Sequence, residues 1–209
     1  MRGLANPDSK IYALLNKAVQ LIELSVWVVL CSLPLITAGA AISSMHSVLL
    51  KIYRDEEKRI TGDFFRAMKD NLKNSTALWL IYWLYLGALA GVWAMAVRFM
   101  PEGEVYMLFG LLLAVVMGIL YLDWALILQS RYVYTIPQCM KYALLAWLKY
   151  PGSTFVYLIS IAIPILFCFS LETLILAVFS VGVSHMISTT LYSRVFDQME
   201  GIPPRMPKL

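Results

Sequence analysis

Five polar side chains stand inside otherwise apolar stretches of this 209-residue chain: Glu23, His46, Asp123, Glu172 and His185. An ionised group at the centre of a bilayer costs about 2.5–3.5 kcal/mol even on lenient insertion scales, so each one needs a physical reason. Asp123 is the leading candidate for a functional polar residue. It lies beside Trp124 and well before Arg131, where so short a side chain has difficulty snorkelling to water. A carboxyl there can bind a cation, relay a proton or face a polar cavity. The plainer account, which we prefer, is that it stays protonated or takes hydrogen bonds from Ser, Tyr or Thr hydroxyls on a neighbouring helix. His46 and His185 read as neutral, hydrogen-bonded imidazoles, because neither has a second ligand three or four residues away. Glu23 is near enough to the end of its stretch to reach water or Lys17, and Glu172 marks a wet turn.

The motifs of familiar enzyme chemistry are absent. There is no phosphate-cradling Gly loop, no H-E-x-x-H, no G-x-S-x-G and no pair of intramembrane carboxylates at helical spacing. The sequence therefore assigns no catalytic residue, no cofactor and no metal site. Cys31, Cys139 and Cys168 are odd in number, widely spaced and without a Cys or His at ligand distance. They suit packing as small hydrophobes better than a disulfide framework or zinc. The aromatic run Trp79, Tyr82, Trp83, Tyr85 and Trp93 suits lipid contact and interfacial anchoring more than a sugar-stacking platform.

These residues must be positioned by apolar elements. Hydrophobic residues make up 60% of the chain and charged ones 14%, against about 45–50% and about 25% in soluble domains. Long apolar runs cover Leu21 to Leu50, Ala77 to Val97, Val105 to Leu128 and Thr154 to Leu191. Backbone polar groups in lipid must bond within their own segment, so such runs are helices unless they alternate as barrel strands do. Leu111-Leu112-Leu113-Ala114-Val115-Val116 does not alternate. The fold class is all-α, an integral membrane helical bundle forming one domain over 1–209. Ala38-Gly39-Ala40 has the look of a signal-peptidase site, but the apolar run begins late and is preceded by Asp8, which argues against cleavage.

Lys and Arg in the connections give an orientation. The segment from Lys51 to Lys73 carries Lys51, Arg54, Lys58, Arg59, Arg66, Lys69 and Lys73, which places it in the cytoplasm. The later connections then alternate without exception, and the tail with Arg194, Arg205 and Lys208 falls inside. The Leu21 to Leu50 run, about 45 Å as one helix, exceeds a core of about 30 Å. A break near Leu33-Pro34, where proline disfavours helix, puts both termini in the cytoplasm. This predicts six membrane helices, at about 10–33, 38–53, 75–98, 105–130, 153–170 and 173–195, with five as the alternative if the first run crosses once. Two amphipathic interfacial helices are expected near 61–74, with Phe64, Phe65, Met68 and Leu72 on one face, and near 136–149, with Ile136, Met140, Leu144 and Trp147 on one face.

One motif carries a family signature. Ser32-Leu33-Pro34-Leu35-Ile36-Thr37-Ala38-Gly39-Ala40-Ala41, the charged stretch Lys51 to Glu57, and Asp63-Phe64-Phe65-Arg66 with Lys69, Asn71 and Lys73 together resemble the YesL family of bacterial integral membrane proteins. The family's own domain is of unknown function. Pro34, Gly39, Phe64 and Phe65 are the structural markers, and Ala40 stands where the family commonly has Pro. The resemblance implies a multipass plasma-membrane protein whose relatives often lie near carbohydrate-uptake and polysaccharide-use genes. It supplies no catalytic residues.

The expected function is therefore a non-enzymatic accessory or regulatory membrane component linked to carbohydrate uptake or use. A small transporter or lipid-handling homo-oligomer, with Asp123 facing a central cavity, is the alternative. An intramembrane enzyme ranks third. The expected partners are the lipid bilayer, anionic lipid at the basic cytoplasmic face, a transporter or envelope complex, and a second copy of the chain. Nucleic acid is not expected.

Overall fold

The computed structural model describes residues 10–54, 56, 59–99, 104–166 and 171–200. Among these there are seven helices and no strand. They are α1 (Lys10–Ser32), α2 (Ala38–Tyr53), α3 (Ile60–Phe99), α4 (Glu104–Arg131), α5 (Ile136–Lys149), α6 (Pro151–Leu166) and α7 (Leu171–Met199). Four segments are long and apolar enough to cross a membrane: Leu14–Ser32, Ile60–Phe99, Tyr106–Arg131 and Leu176–Met199. A fifth span exists if α5 and α6, which meet at a bend of 98°, count as one. The architecture is that of a multipass membrane protein. The N-terminal helix entry around Asp8, Cys168, the side chain of Glu172 and the tail with Arg205 and Lys208 lie outside the described residues.

The boundary drawn by sequence between an interfacial helix at 61–74 and a membrane helix at 75–98 does not exist in the chain. α3 runs unbroken for 40 residues, because Asn74-Ser75-Thr76 contains neither Pro nor Gly and nothing else interrupts the backbone ladder. Its inner stripe, Ile60, Asp63, Phe64, Ala67, Ser75, Leu78 and Tyr82, keeps helical spacing through the junction. Phe64 is fully buried, whereas Phe65 and Leu72 are 42% exposed. Phe65 meets the edge of Trp27, ring centroids 5.0 Å apart. In α5 the inward face is made of small residues, Cys139, Ala143 and Ala146, while Leu144 is exposed. Small side chains let α5 approach α4 closely enough for the Cys139 thiol to reach the Ala125 carbonyl at 3.1 Å. The α5 N-terminus follows from local chemistry: the Thr135 N–H donates to the Gln138 side chain at 3.1 Å, and Pro137 sits in the first turn. Pro151, as the first residue of α6, permits the sharp turn after Tyr150.

α2 is the innermost element. At 16 residues it is about 24 Å long, and most of its residues are buried among α1, α3, α4 and α7. Gly39 makes this possible on one side. A Cβ there would stand 2.5 Å from the Trp79 Cβ and 2.8 Å from the Ser75 carbonyl oxygen. Gly182 does the same where α7 crosses α1, with the Leu21 carbonyl oxygen 2.5 Å from the place of its missing Cβ. The Ser25 hydroxyl fills that crossing, donating to the Leu21 carbonyl at 2.7 Å while accepting from the Gly182 N–H at 2.8 Å.

The distribution of polarity is inverted relative to a soluble protein. Leu84, Met95, Phe99, Phe109 and Leu112 face outward, while Ser43, Ser44, His46, Asp123, Ser184, His185, Ser188, Thr189 and Ser193 are buried. An apolar exterior of this extent belongs in lipid. The interior then holds whatever polar chemistry the protein has.

Candidate functional site

Asp123 sits in the second half of α4, 2% exposed, with its carboxylate at the junction of three other helices. From α2, His46 Nε2 stands 3.0 Å from Asp123 Oδ1. From α7, the Tyr192 hydroxyl donates to Asp123 Oδ2 at 2.7 Å. His185, two turns earlier on the same face of α7, places its ring centroid 6.0 Å from that of His46. It stacks on Tyr157 of α6 at 5.5 Å and 21°. Trp124, beside Asp123, meets Tyr192 edge-on at 4.7 Å and donates its indole N–H to Thr154 at 2.8 Å. His46 and Tyr192 are fully buried, and Tyr157 and His185 nearly so.

The bond pattern selects a tautomer. His46 Nδ1 has no partner, and a buried orphan N–H is worse than a buried orphan lone pair. His46 therefore carries its proton on Nε2, donates it to Asp123 and leaves Nδ1 as the acceptor. Both carboxylate oxygens are then satisfied by donors fixed on different helices. That arrangement ties α2, α4 and α7 together, and it holds an exchangeable proton between an imidazole and a carboxyl. Among the described residues no group of three His, Cys, Asp or Glu is placed to hold a metal ion.

Three cavities lie away from this cluster. One of about 350 Å³ between α3 and α4 is lined by Leu78, Tyr82, Tyr85, Met117, Tyr121 and Met140. Two more, about 430 and 250 Å³, adjoin at the charged end of the bundle and share Ser47, Lys51, Ser130, Arg131 and Tyr132. There Lys51 pairs with Asp63 at 2.7 Å and Arg54 with Asp197 at 3.0 Å. Arg131 clasps Glu200 through two bonds, 2.9 and 2.7 Å. The Arg131 guanidinium holds the Glu200 carboxyl below its ordinary value, with the Tyr132 hydroxyl adding to that effect. Burial, then the hydrogen bond to Glu200, pushes Tyr132 up to about 12.

Of the residues singled out by sequence, the structure brings Asp123, His46 and His185 into one cluster and leaves Glu23 apart. Glu23 accepts from the Thr61 hydroxyl at 2.5 Å, and Thr61 in turn accepts from the Trp27 indole at 2.9 Å. Reading each residue against its own helix could not find the cluster, because His46 and Asp123 are 77 positions apart. Tyr157 and Tyr192 went unnoticed. The available signal was a phenol inside an apolar run, since a buried Tyr O–H needs a partner. Pro34 and Gly39 frame the α1–α2 turn, and Phe64 and Phe65 pack where α3 meets α1.

No curated protein and no solved structure matches the chain. Residues 21–91, about a third of it, match the model of a family described as a protein of unknown function, DUF624; the match takes in the end of α1, all of α2 with His46, and most of α3, and stops short of Asp123 and His185.

Proposed function

We propose that this protein is a non-enzymatic accessory or regulatory component of a bacterial plasma membrane, associated with carbohydrate uptake or use. In this reading six helices, α1 to α4 with α6 and α7, are embedded in the membrane. Residues 136–149 run along its surface, residues 61–74 are the first part of the continuous α3, and both chain ends are cytoplasmic. The observation that carries the reading is the state of Asp123. Its carboxylate is consumed by His46 and Tyr192, and it lines none of the cavities described above. A side chain so engaged serves helix packing rather than substrate passage. The carbohydrate link is what the family resemblance carried by the motif around Leu33 to Gly39 implies. The basic side chains Lys51, Arg54, Arg66 and Arg131 at one end supply a surface for a protein partner or for anionic lipid.

The test is isolation from native membranes without detergent, followed by identification of companions. Stoichiometric recovery of a transporter or envelope protein is the expected result, and recovery of the chain alone counts against an accessory role. The second reading, a small transporter working as a homo-oligomer, draws on the polar seam of Ser184, His185, Ser188 and Thr189 along α7. Asp123→Asn separates the two. Growth on candidate sugars is unchanged by this substitution if Asp123 only binds helices together, and is lost if it carries a proton or cation.

A further inference from the structure

The five residues between α1 and α2 are turned inside out for a loop in water. Leu33, Leu35 and Ile36 are 72%, 63% and 64% exposed, and Pro34 is exposed beside them. The backbone meanwhile turns inward. The Thr37 hydroxyl lies 2.8 Å from the Cys31 carbonyl oxygen and 3.0 Å from that of Pro34, and the Thr37 N–H also reaches Pro34 at 2.9 Å. The Leu35 carbonyl is claimed by α3, whose Trp79 indole N–H donates to it at 2.7 Å. From Leu24 to Leu50 there is no Asp, Glu, Lys or Arg. Water would solvate such carbonyls without help and would be repelled by the three side chains. Hydrocarbon makes the opposite demands, because irregular backbone survives there only when the protein itself satisfies its polar groups.

Its depth follows from what anchors the two arms. On α1, Glu23 accepts from Thr61; on α2, Lys51 pairs with Asp63. Both arms are therefore pinned to the same short stretch of α3. From there α1 has nine residues left to Ser32, about 14 Å, and α2 has thirteen from Lys51 back to Ala38, about 20 Å. Measured from these anchors, neither arm covers a core of about 30 Å; the Leu14–Ser32 segment reaches a spanning length only by counting the residues before Glu23.

We propose that α1 and α2 form a re-entrant hairpin whose tip, Leu33 to Thr37, rests against lipid acyl chains and returns to the side it left without surfacing where α3 ends. Trp79, Thr37 and Gly39 are its sealing residues. Trp79 and Thr37 supply the donors, and Gly39 lets α2 lie close enough for the indole to reach. The proposal concerns the path of the chain and is independent of the accessory role. It also keeps both ends of the hairpin on one face.

Single cysteines test it. With Cys31, Cys139 and Cys168 replaced by Ala, Leu33→Cys, Leu35→Cys and Ile36→Cys are each treated with a membrane-impermeant maleimide from either side of oriented vesicles. Tyr106→Cys and Val133→Cys, near opposite ends of α4 and 85% and 100% exposed, report the two aqueous faces. The expected result is that the three tip cysteines stay unlabelled from both faces, label after detergent solubilisation, and as spin labels collide more often with oxygen than with a water-soluble nickel complex. Labelling of Leu35→Cys together with Tyr106→Cys means that the hairpin crosses, and labelling together with Val133→Cys means that the tip is in water. Either outcome overturns the proposal. Trp79→Phe, which keeps the ring and removes the donor, provides a second reading should the cysteine variants misfold. It leaves the Leu35 carbonyl unpaired and is expected to raise amide exchange at residues 33–39 at least tenfold, whereas unchanged exchange there overturns the sealing role.

Discussion

Two carboxylates in this protein have similar hydrogen-bond counts and opposite surroundings. Asp123 is dry, bound by an imidazole and a phenol that are themselves fully buried. Glu200 sits at the charged end, its side chain 28% exposed, bound by the Arg131 guanidinium and the Tyr132 hydroxyl. Glu200 has the stronger formal partner, yet Asp123 has more to lose. When a partner of Glu200 is removed, water replaces it. When Asp123 is removed, the buried groups that bond it, His46 and Tyr192 among them, are stranded away from the surface. Position in the bundle, rather than the nominal strength of a bond, therefore decides what each contact is worth.

The largest effect is expected from Asp123→Ala. Stranding His46 Nε2 and the Tyr192 hydroxyl costs about 1–3 kcal/mol each, so the variant should lose about 3 kcal/mol. In a chain of this size that corresponds to a melting point about 6–12 °C lower, measurable in lipid nanodiscs. A smaller and sharper measure is the cycle Asp123→Asn, Tyr192→Phe and the double variant. Direct contact predicts a coupling of about 0.5–2 kcal/mol, close to the upper range for hydrogen bonds inside membranes. A coupling near zero would make Asp123 no different from Glu200 and erase the contrast.

How much of this was legible in the sequence divides along the same line. The helices were readable because apolar run length and proline are local signals, as at Leu33-Pro34 and at Thr135-Ile136-Pro137. Asp123 was identifiable as a buried group needing a partner, since nothing beside Trp124 offers water. Its partners were not, because His46 and Tyr192 reach it across helix contacts that no local spacing encodes. The unbroken course of α3 was also hidden. A change of composition at Asn74 looks like a boundary, but composition governs which solvent a helix prefers and not whether its backbone ladder stops. Small-residue faces such as Cys139, Ala143 and Ala146 escaped attention for a related reason. Close packing in lipid rewards side chains that are absent, and an amphipathicity argument looks for those that are large.

Between the two extremes lies Asp197. Its carboxylate is 1% exposed, while its partner Arg54 is 16% exposed and faces a cavity. Asp197→Asn leaves a half-sheltered guanidinium that can draw on water, so the expected cost is about 1–2 kcal/mol, below the 3–5 kcal/mol of a fully buried broken pair. Denaturant unfolding of this variant beside Asp123→Ala would rank the two. A cost equal to that of Asp123→Ala would show that water does not reach Arg54.

The smallest effect is expected at Glu200, and pH identifies it. Arg131 depresses the folded carboxyl below the ordinary 4.5. A depressed acid contributes stability that is fully present above its unfolded value and is lost as pH falls through the folded one. The stability difference between the wild type and Glu200→Gln should thus be flat above about pH 5.5, no more than about 1 kcal/mol because the pair is partly solvated, and should shrink toward zero below pH 4.5. Salt should reduce it as well, since an exposed pair is screened over about 8–10 Å at ordinary ionic strength. The contribution of Asp123, which is 2% exposed, should show no comparable salt dependence. A salt-sensitive Asp123 together with a salt-insensitive Glu200 would invert the assignment of which carboxylate is dry.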